Sequence, residues 1–118
     1  MKQVRFAQSV AVLLEDSVKQ LVEKNYFSEE DYAVAYIRDV ASFFMLNLPN
    51  LTSIDAPEYF YRYCVDGKPL KMVKYRKSSR TTWYAFYEEL DEIYSIVYVA
   101  NNHLIGHKLE ISLQQSKN

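Results

Sequence analysis

The residues with the clearest chemical potential are a run of basic side chains in the second half of the chain. Between residues 62 and 80, seven lysines and arginines stand against one acid, Asp66. The basic residues are Arg62, Lys68, Lys71, Lys74, Arg76, Lys77 and Arg80. Such a run produces a local positive field, which either attracts an anionic partner or protects a sheet edge against aggregation.

Most other catalytic chemistries lack their residues in this sequence. The chain holds two glycines, Gly67 and Gly106, hence no glycine-rich phosphate loop, and it contains neither a GxSxG nor an HExxH pattern. Its single cysteine, Cys64, has no disulfide partner and no zinc-type spacing. We therefore expect no metal, no cofactor and an inert Cys64 thiol in a reducing compartment.

Charge is distributed unevenly around a formal net charge of −1. Residues 1–60 hold 5 basic and 9 acidic side chains, and residues 61–118 hold 9 and 6. The overall balance excludes a uniformly basic nucleic-acid binder.

The length predicts one domain over residues 1–118. Since we find no signal peptide and no apolar stretch of about 20 residues, we expect a cytoplasmic protein without a membrane span.

The elements that must position the basic run are β-strands. Residues 81–87 and 93–99 are rich in β-branched and aromatic side chains, which fit a pleated surface. The acidic segment 88–92 between them predicts a turn, so the two strands form a hairpin. Because both strands carry apolar residues on both faces, we expect helices to cover one side of the sheet and large tyrosines to line the other.

A further strand precedes this hairpin and carries the centre of the basic run. Residues 70–76 alternate along the strand. Lys74 and Arg76 therefore face one side of the sheet. Val73 and Tyr75 face the other. The predicted strand thus presents two cations on a single face.

Two amphipathic helices come before the sheet in the chain. Apolar residues recur at helical spacing between Ser9, a good N-cap, and Lys24. A second capped start at Ser28 leads to an apolar stripe that ends at about Leu48, before Pro49. The short link between the helices predicts an antiparallel helical hairpin packed on the sheet.

Shorter segments complete the expected architecture. Residues 2–6 alternate in polarity and predict a first strand that joins the sheet. The composition of residues 49–57 predicts a surface loop. Residues 58–64 fit either a short helical turn or an irregular strand, and residues 104–113 fit a further short strand or an extended segment.

The order of these elements resembles the RelE/ParE superfamily of small bacterial toxins. The shared features are the helical hairpin ending near Pro49, the basic strand with Lys74-Tyr75-Arg76, the aromatic hairpin from Thr82 to Tyr98, and His103 just past the last strand. The resemblance covers residues 2–105. It implies an α+β fold in which an N-terminal strand and an antiparallel helical hairpin pack on a curved antiparallel sheet of about four strands.

The resemblance also implies a function and a site. Ribosome-dependent members of the superfamily are toxins of type II toxin–antitoxin systems that cleave mRNA without a metal. The implied catalytic residues are Arg76 and Arg80, which offset transition-state charge, and His103, which carries the proton. Implied nucleic-acid contacts are lysines that hold phosphates and tyrosines that stack a base: Lys71, Lys74, Lys77, Tyr84 and Tyr87. We expect the cations and His103 to converge on one hollow of the sheet.

Departures from the family pattern leave other functions open. Thr82 and Trp83 stand where active members carry a third-strand arginine, and Leu104 follows His103 where a His-Tyr pair is usual. The chain is then either an inactive module that binds itself or a partner through its tyrosine-rich sheet, or a topoisomerase-inhibiting toxin. His103 also fits a loop residue that bonds backbone groups. As a toxin, the chain would pair with an antitoxin whose acidic segment covers the basic face.

Overall fold

The chain begins with a short strand, continues through two α-helices and a second short strand, and then forms three longer strands. A computed structural model describes residues 2–24, 29–103 and 105. Its elements are β1 (Gln3–Phe6), α1 (Gln8–Glu23), α2 (Glu30–Asn47), β2 (Ile54–Asp55), β3 (Leu70–Arg76), β4 (Thr82–Glu89) and β5 (Ile93–Asn101), with 3-10 helices at Leu48–Asn50 and Glu58–Tyr63. The predicted α+β class is confirmed.

The sheet is mixed and has five strands in the order β1-β5-β4-β3-β2. β3, β4 and β5 pair antiparallel through their turns, as predicted, whereas β1 runs parallel to β5. The sheet therefore differs from the expected antiparallel sheet of about four strands in two respects: it has a fifth strand, β2, and its β1–β5 pair is parallel. Alternation marks residues 2–6 as a strand, but no local turn sets the direction in which that strand pairs.

β2 is the strand that the sequence did not predict. Residues 49–57 have the composition of a surface loop, yet Ile54 pairs with Met72 and Asp55 pairs with Lys71 across the edge of β3. A two-residue edge strand has too little alternation to stand out from its flanking loop. Its pairing with β3 ends where the backbone N–H of Ala56 donates to the carbonyl of Leu70.

The helices occupy nearly the predicted ranges. α1 begins at Gln8 with Ala7 as its N-cap, and the backbone N–H of Val10 donates to the carbonyl of Ala7. Ser9 is therefore inside the first turn and is not the cap. α2 begins after Glu29, and the predicted cap Ser28 lies outside the described residues. Of the predicted segment 104–113 only Ile105 is described, and it is helical rather than extended. No described helix is both long enough and apolar enough to cross a membrane.

One face of the sheet packs against the helices. The buried stripe of α2, which includes Ile37, Val40 and Phe44, meets side chains of the three central strands. The sheet contributes Val73, Trp83, Ala85, Tyr87, Ile96 and Val99 to this cluster. Burial of such apolar stripes is the main source of helix stability in a globular domain.

A 3-10 helix covers part of the opposite face. Residues 58–64, left undecided by the sequence, form a 3-10 helix over Glu58–Tyr63. Phe60 is fully buried and stacks on Phe86, with ring centroids 4.4 Å apart. Tyr63 stacks on Tyr98 at 3.9 Å. Tyr84 and Tyr98 lie on this face, as expected, and the 3-10 helix packs on the same face.

The buried Glu88 holds the chain that follows this 3-10 helix. Its carboxylate accepts hydrogen bonds from the backbone N–H groups of Val65, Asp66 and Lys68 at 2.7–3.1 Å. These bonds let a carboxylate lie in β4 with none of its surface exposed. The predicted turn at 88–92 is thus shorter, because Glu88 and Glu89 belong to β4.

A β-bulge changes the facing of β5. Phe86 pairs with Tyr98, but Tyr87 pairs with Ile96, so Val97 is an extra residue. Val97 and Tyr98 consequently both pack on the side opposite the helices, while Ile96 and Val99 pack on the helix side. The bulge thereby shifts the facing of the first half of β5 relative to the second half.

Candidate functional site

Three cations that form no ion pair with a described carboxylate line one cavity at the end of the sheet. The cavity has a volume of about 450 Å³. Its lining residues are Lys74, Arg76, Ser79, Arg80, Thr82 and Asn102, and we call it the cationic cavity. Lys74, Arg76 and Arg80 are exposed. Within the described residues no carboxylate forms an ion pair with any of them.

Strand alternation and a cross-strand register position these cations. Lys74 and Arg76 share a face of β3, as predicted, and they pair with Tyr84 and Thr82 of β4. Met72, two residues before Lys74, belongs to the core cluster under the 3-10 helix. The cations therefore extend that face beyond the part which the 3-10 helix covers.

Asn102 fixes the turn that carries Arg80. Its side-chain oxygen accepts a hydrogen bond from the backbone N–H of Thr82 at 2.9 Å, and its side-chain nitrogen donates to the carbonyl of Arg80 at 3.2 Å. Both bonds join the end of β5 to the turn between β3 and β4. Sequence reasoning missed this role, because an Asn after a strand signals only a turn.

His103 lies in a second cavity, on the helix side of the sheet. This cavity has a volume of about 390 Å³. It is lined by Ser17, Gln20, Leu21, Lys24, Tyr36, Ser78, Thr81, Trp83, Asn101 and His103, and we call it the Trp83 cavity. Nε2 of His103 lies 3.1 Å from the Thr81 hydroxyl. The structure therefore brings Arg76 and Arg80 together but does not bring His103 into their cavity.

Two of the predicted phosphate ligands are held by acids elsewhere. Lys71 pairs with Asp55 across β2 and β3, and this hydrogen bond raises the pKa of Lys71. Lys77 pairs with Asp39 of α2, which raises the pKa of Lys77 and lowers that of Asp39. Tyr75 also donates to Asp39, at 3.0 Å. Lys71 and Lys77 thus lie outside the cationic cavity.

The two predicted base-stacking tyrosines lie on opposite faces. Tyr84 is half-buried beside Lys74 on the face of the cationic cavity. Tyr87 is buried on the helix side and contacts Tyr94 edge to face at 5.5 Å. Only Tyr84 is therefore placed where an RNA base could reach its ring.

Burial raises the pKa of two titratable groups on the sheet face that carries the 3-10 helix. Burial raises the pKa of Tyr98, which also bonds to Tyr63. Burial, followed by the charge of Glu88, raises the pKa of Cys64. The Cys64 thiol is half-buried and donates to the carbonyl of Lys68. A raised thiol pKa disfavours the reactive thiolate, in agreement with the expected inert cysteine.

Neither a search for metal-binding side chains nor comparison with known proteins assigns a function to the two cavities. Across the described ranges, no group of three His, Cys, Asp or Glu side chains could hold a metal ion. Comparisons with protein-family models, curated proteins and solved structures found no match for this chain. The site must therefore be interpreted from its own residues.

Proposed function

We propose that this chain is a RelE/ParE-like toxin component of a type II toxin–antitoxin pair, and that its cationic cavity binds the phosphates of RNA in the cytoplasm. One observation carries the proposal: Lys74, Arg76 and Arg80 line a single cavity and pair with no described carboxylate. Three neighbouring cations repel one another unless an anion lies between them. Their arrangement therefore favours an anionic ligand.

The donors around the cavity suit a phosphodiester. A guanidinium can donate two parallel hydrogen bonds to one phosphate, whereas the Lys74 ammonium acts as a compact charge. Ser79, Thr82 and Asn102 add neutral polar groups to the lining. Phosphate contacts of this kind give affinity without reading sequence, and they weaken as salt rises.

The order of elements supports the toxin assignment. A strand, two helices and then an antiparallel run of strands follow one another along the chain, which is the order on which the resemblance rests. An antitoxin with an acidic amphipathic segment would complement the exposed cations and block the cavity. Because fold alone does not fix activity, the toxin assignment depends on the residues that line the cationic cavity.

The separation of His103 from the arginines favours binding over cleavage. RNA cleavage needs an acid and a base beside the scissile phosphate. Among the described side chains, those that line the cationic cavity include no histidine and no carboxylate. This observation supports the second candidate, a RelE-fold module that binds its partner or itself without catalysis.

Expression in bacteria tests the toxin assignment. We expect the wild-type chain to arrest growth, and we expect Arg76→Ala together with Arg80→Ala to relieve the arrest. Arg38→Ala is the matched control, because Arg38 is an exposed arginine on α2, away from the cavity lining. Unimpeded growth with the wild-type chain at equal expression contradicts the toxin assignment.

RNA integrity and solution mass separate the two candidates. Fragmented mRNA during growth arrest would indicate a nuclease, and arrest with intact mRNA would indicate a binding toxin. The non-catalytic module predicts a homodimer or a co-purifying partner protein. A strict monomer that arrests growth and fragments mRNA rules that module out.

A further inference from the structure

The Trp83 cavity has the dimensions and lining of a small-molecule site. Its volume of about 390 Å³ lies within the range of pockets that bind ligands. It lies between the second half of α1, which contributes Gln20 and Leu21, and the ends of β4 and β5. The proposed RNA-phosphate site does not use this cavity.

A rigid aromatic wall forms one side of the cavity. The Trp83 indole is almost fully buried, and its Nε1 donates to the Tyr36 hydroxyl at 3.1 Å. The two rings lie 6.2 Å apart at 58°. This hydrogen bond holds the indole, which is 2 % exposed, in the cavity wall, and the half-buried Tyr36 ring supplies the more accessible aromatic surface for a planar ring.

Polar groups on the remaining sides suit a ring that can both donate and accept. The exposed Gln20 amide provides one donor and one acceptor group. Ser78 and the hydrogen-bonded pair of Thr81 and His103 add further polar atoms. Among the residues that the structure describes, the lining contains the cation Lys24 and no carboxylate. A planar heterocycle that carries an anionic group fits this set better than a cationic ligand does.

The two cavities share the turn between β3 and β4. Ser78 and Thr81 line the Trp83 cavity, while Ser79 and Arg80 line the cationic cavity. Arg80 of one cavity is therefore the sequence neighbour of Thr81 of the other, although the two cavities lie on opposite faces of the sheet. Resting on the function proposed above, we propose that the Trp83 cavity binds the nucleobase of a nucleotide, either a residue of RNA or a free mononucleotide.

Tryptophan fluorescence tests this proposal directly, because Trp83 is the one tryptophan of the chain. We expect adenosine or uridine monophosphate, or a short single-stranded RNA, to produce a saturable change in its emission. Ribose 5-phosphate and inorganic phosphate should produce none, because they lack a base. No response to any of the nucleotides, or an equal response to inorganic phosphate, overturns the proposal.

Variants locate the base within the cavity. Gln20→Ala removes an exposed amide and should weaken the response about fivefold, the loss of one neutral hydrogen bond. Thr81→Val removes the hydroxyl of a half-buried residue in the same lining and should also weaken the response. Arg38→Ala on α2 should leave the response unchanged. Equal affinity in the wild type and both cavity variants contradicts the assignment.

The same fluorescence measurements distinguish an RNA residue from a free mononucleotide as the ligand. They also separate failure of the nucleobase proposal from failure of the RNA-binding proposal. If RNA gives a response that Arg76→Ala abolishes, while free mononucleotides at the same concentration give none, the ligand is an RNA residue. If only mononucleotides give a response, the cavity binds free nucleotide, and the RNA-binding proposal fails alone. If RNA binds through the cationic cavity while every nucleotide leaves the Trp83 emission unchanged, the nucleobase proposal fails alone.

Discussion

Thr81 Oγ1 and His103 Nε2 lie 3.1 Å apart, and this contact holds His103 in the Trp83 cavity rather than beside Arg76. The β3–β4 turn and the end of β5 therefore supply residues to two cavities at once. The proposed phosphate ligands and the expected proton carrier His103 therefore lie in different cavities. The predictions below follow from that division.

We first expect His103→Ala to leave phosphate binding by the cationic cavity intact. His103 does not line that cavity, so the dependence of RNA affinity on salt should keep its wild-type slope. Arg80→Ala should lower the slope by about 0.7, the value for one phosphate contact on a single strand. Fluorescence anisotropy of a labelled single-stranded RNA at several salt concentrations measures both. A loss of slope in His103→Ala would place the imidazole among the phosphate ligands.

Glu88 should contribute to stability through backbone hydrogen bonds. Glu88→Ala removes the acceptor for the N–H groups of Val65, Asp66 and Lys68. We expect the free energy of unfolding to fall by about 2–3 kcal/mol. Urea denaturation measures this change. Glu92→Ala, in an exposed acid of the β4–β5 turn, should have little effect. Equal stability of the two variants would show that the Glu88 carboxylate does not hold this segment.

Phe60 should attach the 3-10 helix to the sheet. Phe60→Ala removes a fully buried ring that stacks on Phe86, and we expect a loss of about 3–5 kcal/mol in the free energy of unfolding. Tyr61→Ala is the neighbouring control, since half of the Tyr61 surface is exposed (50%). Thermal and urea denaturation should rank the variants in this order. A loss in Tyr61→Ala as large as in Phe60→Ala contradicts the packing.

Asp39 should make stability depend on acid. Hydrogen bonds from Lys77 and then Tyr75 lower its pKa below the ordinary value of 3.8. Its stabilising contribution is therefore complete above 3.8 and is lost as pH falls through the lower folded value. Because the pair is exposed, Asp39→Asn should cost less than about 1 kcal/mol at pH near 7 and still less in strong acid.

Unfolding curves at neutral and acidic pH measure the Asp39 effect. Asp16→Asn, in an exposed carboxyl of α1, is the matched control and should not change the difference between the two conditions. If Asp39→Asn destabilises the protein equally at both pH values, the effect comes from packing rather than from ionisation.

Periodicity predicted most of the elements and the facing of their residues. The stripe of α2, including Ile37 and Phe44, is buried as its spacing indicates. Alternation along β3 places Val73 in the helix-side cluster and Met72 in the opposite one. Local pattern is sufficient here because helix and strand periods determine which side chains share a face.

Long-range features could not be predicted in the same way. The parallel pairing of β1 with β5 and the bulge at Val97 depend on contacts between distant segments. The bulge alters the facing of β5, so the expected convergence of His103 with the arginines could not be evaluated from spacing. A basic residue also gives no sign in the sequence of being paired with an acid, as Lys77 is with Asp39.

The central claim is that Lys74, Arg76 and Arg80 act together on RNA phosphates. The most direct test compares the wild type with the variant in which all three are alanine, by the slope of log affinity for single-stranded RNA against log salt concentration. The claim predicts that the slope falls in magnitude by about 2, at about 0.7 for each cation, while Arg38→Ala keeps the wild-type slope. An unchanged slope and affinity in the triple variant would contradict it.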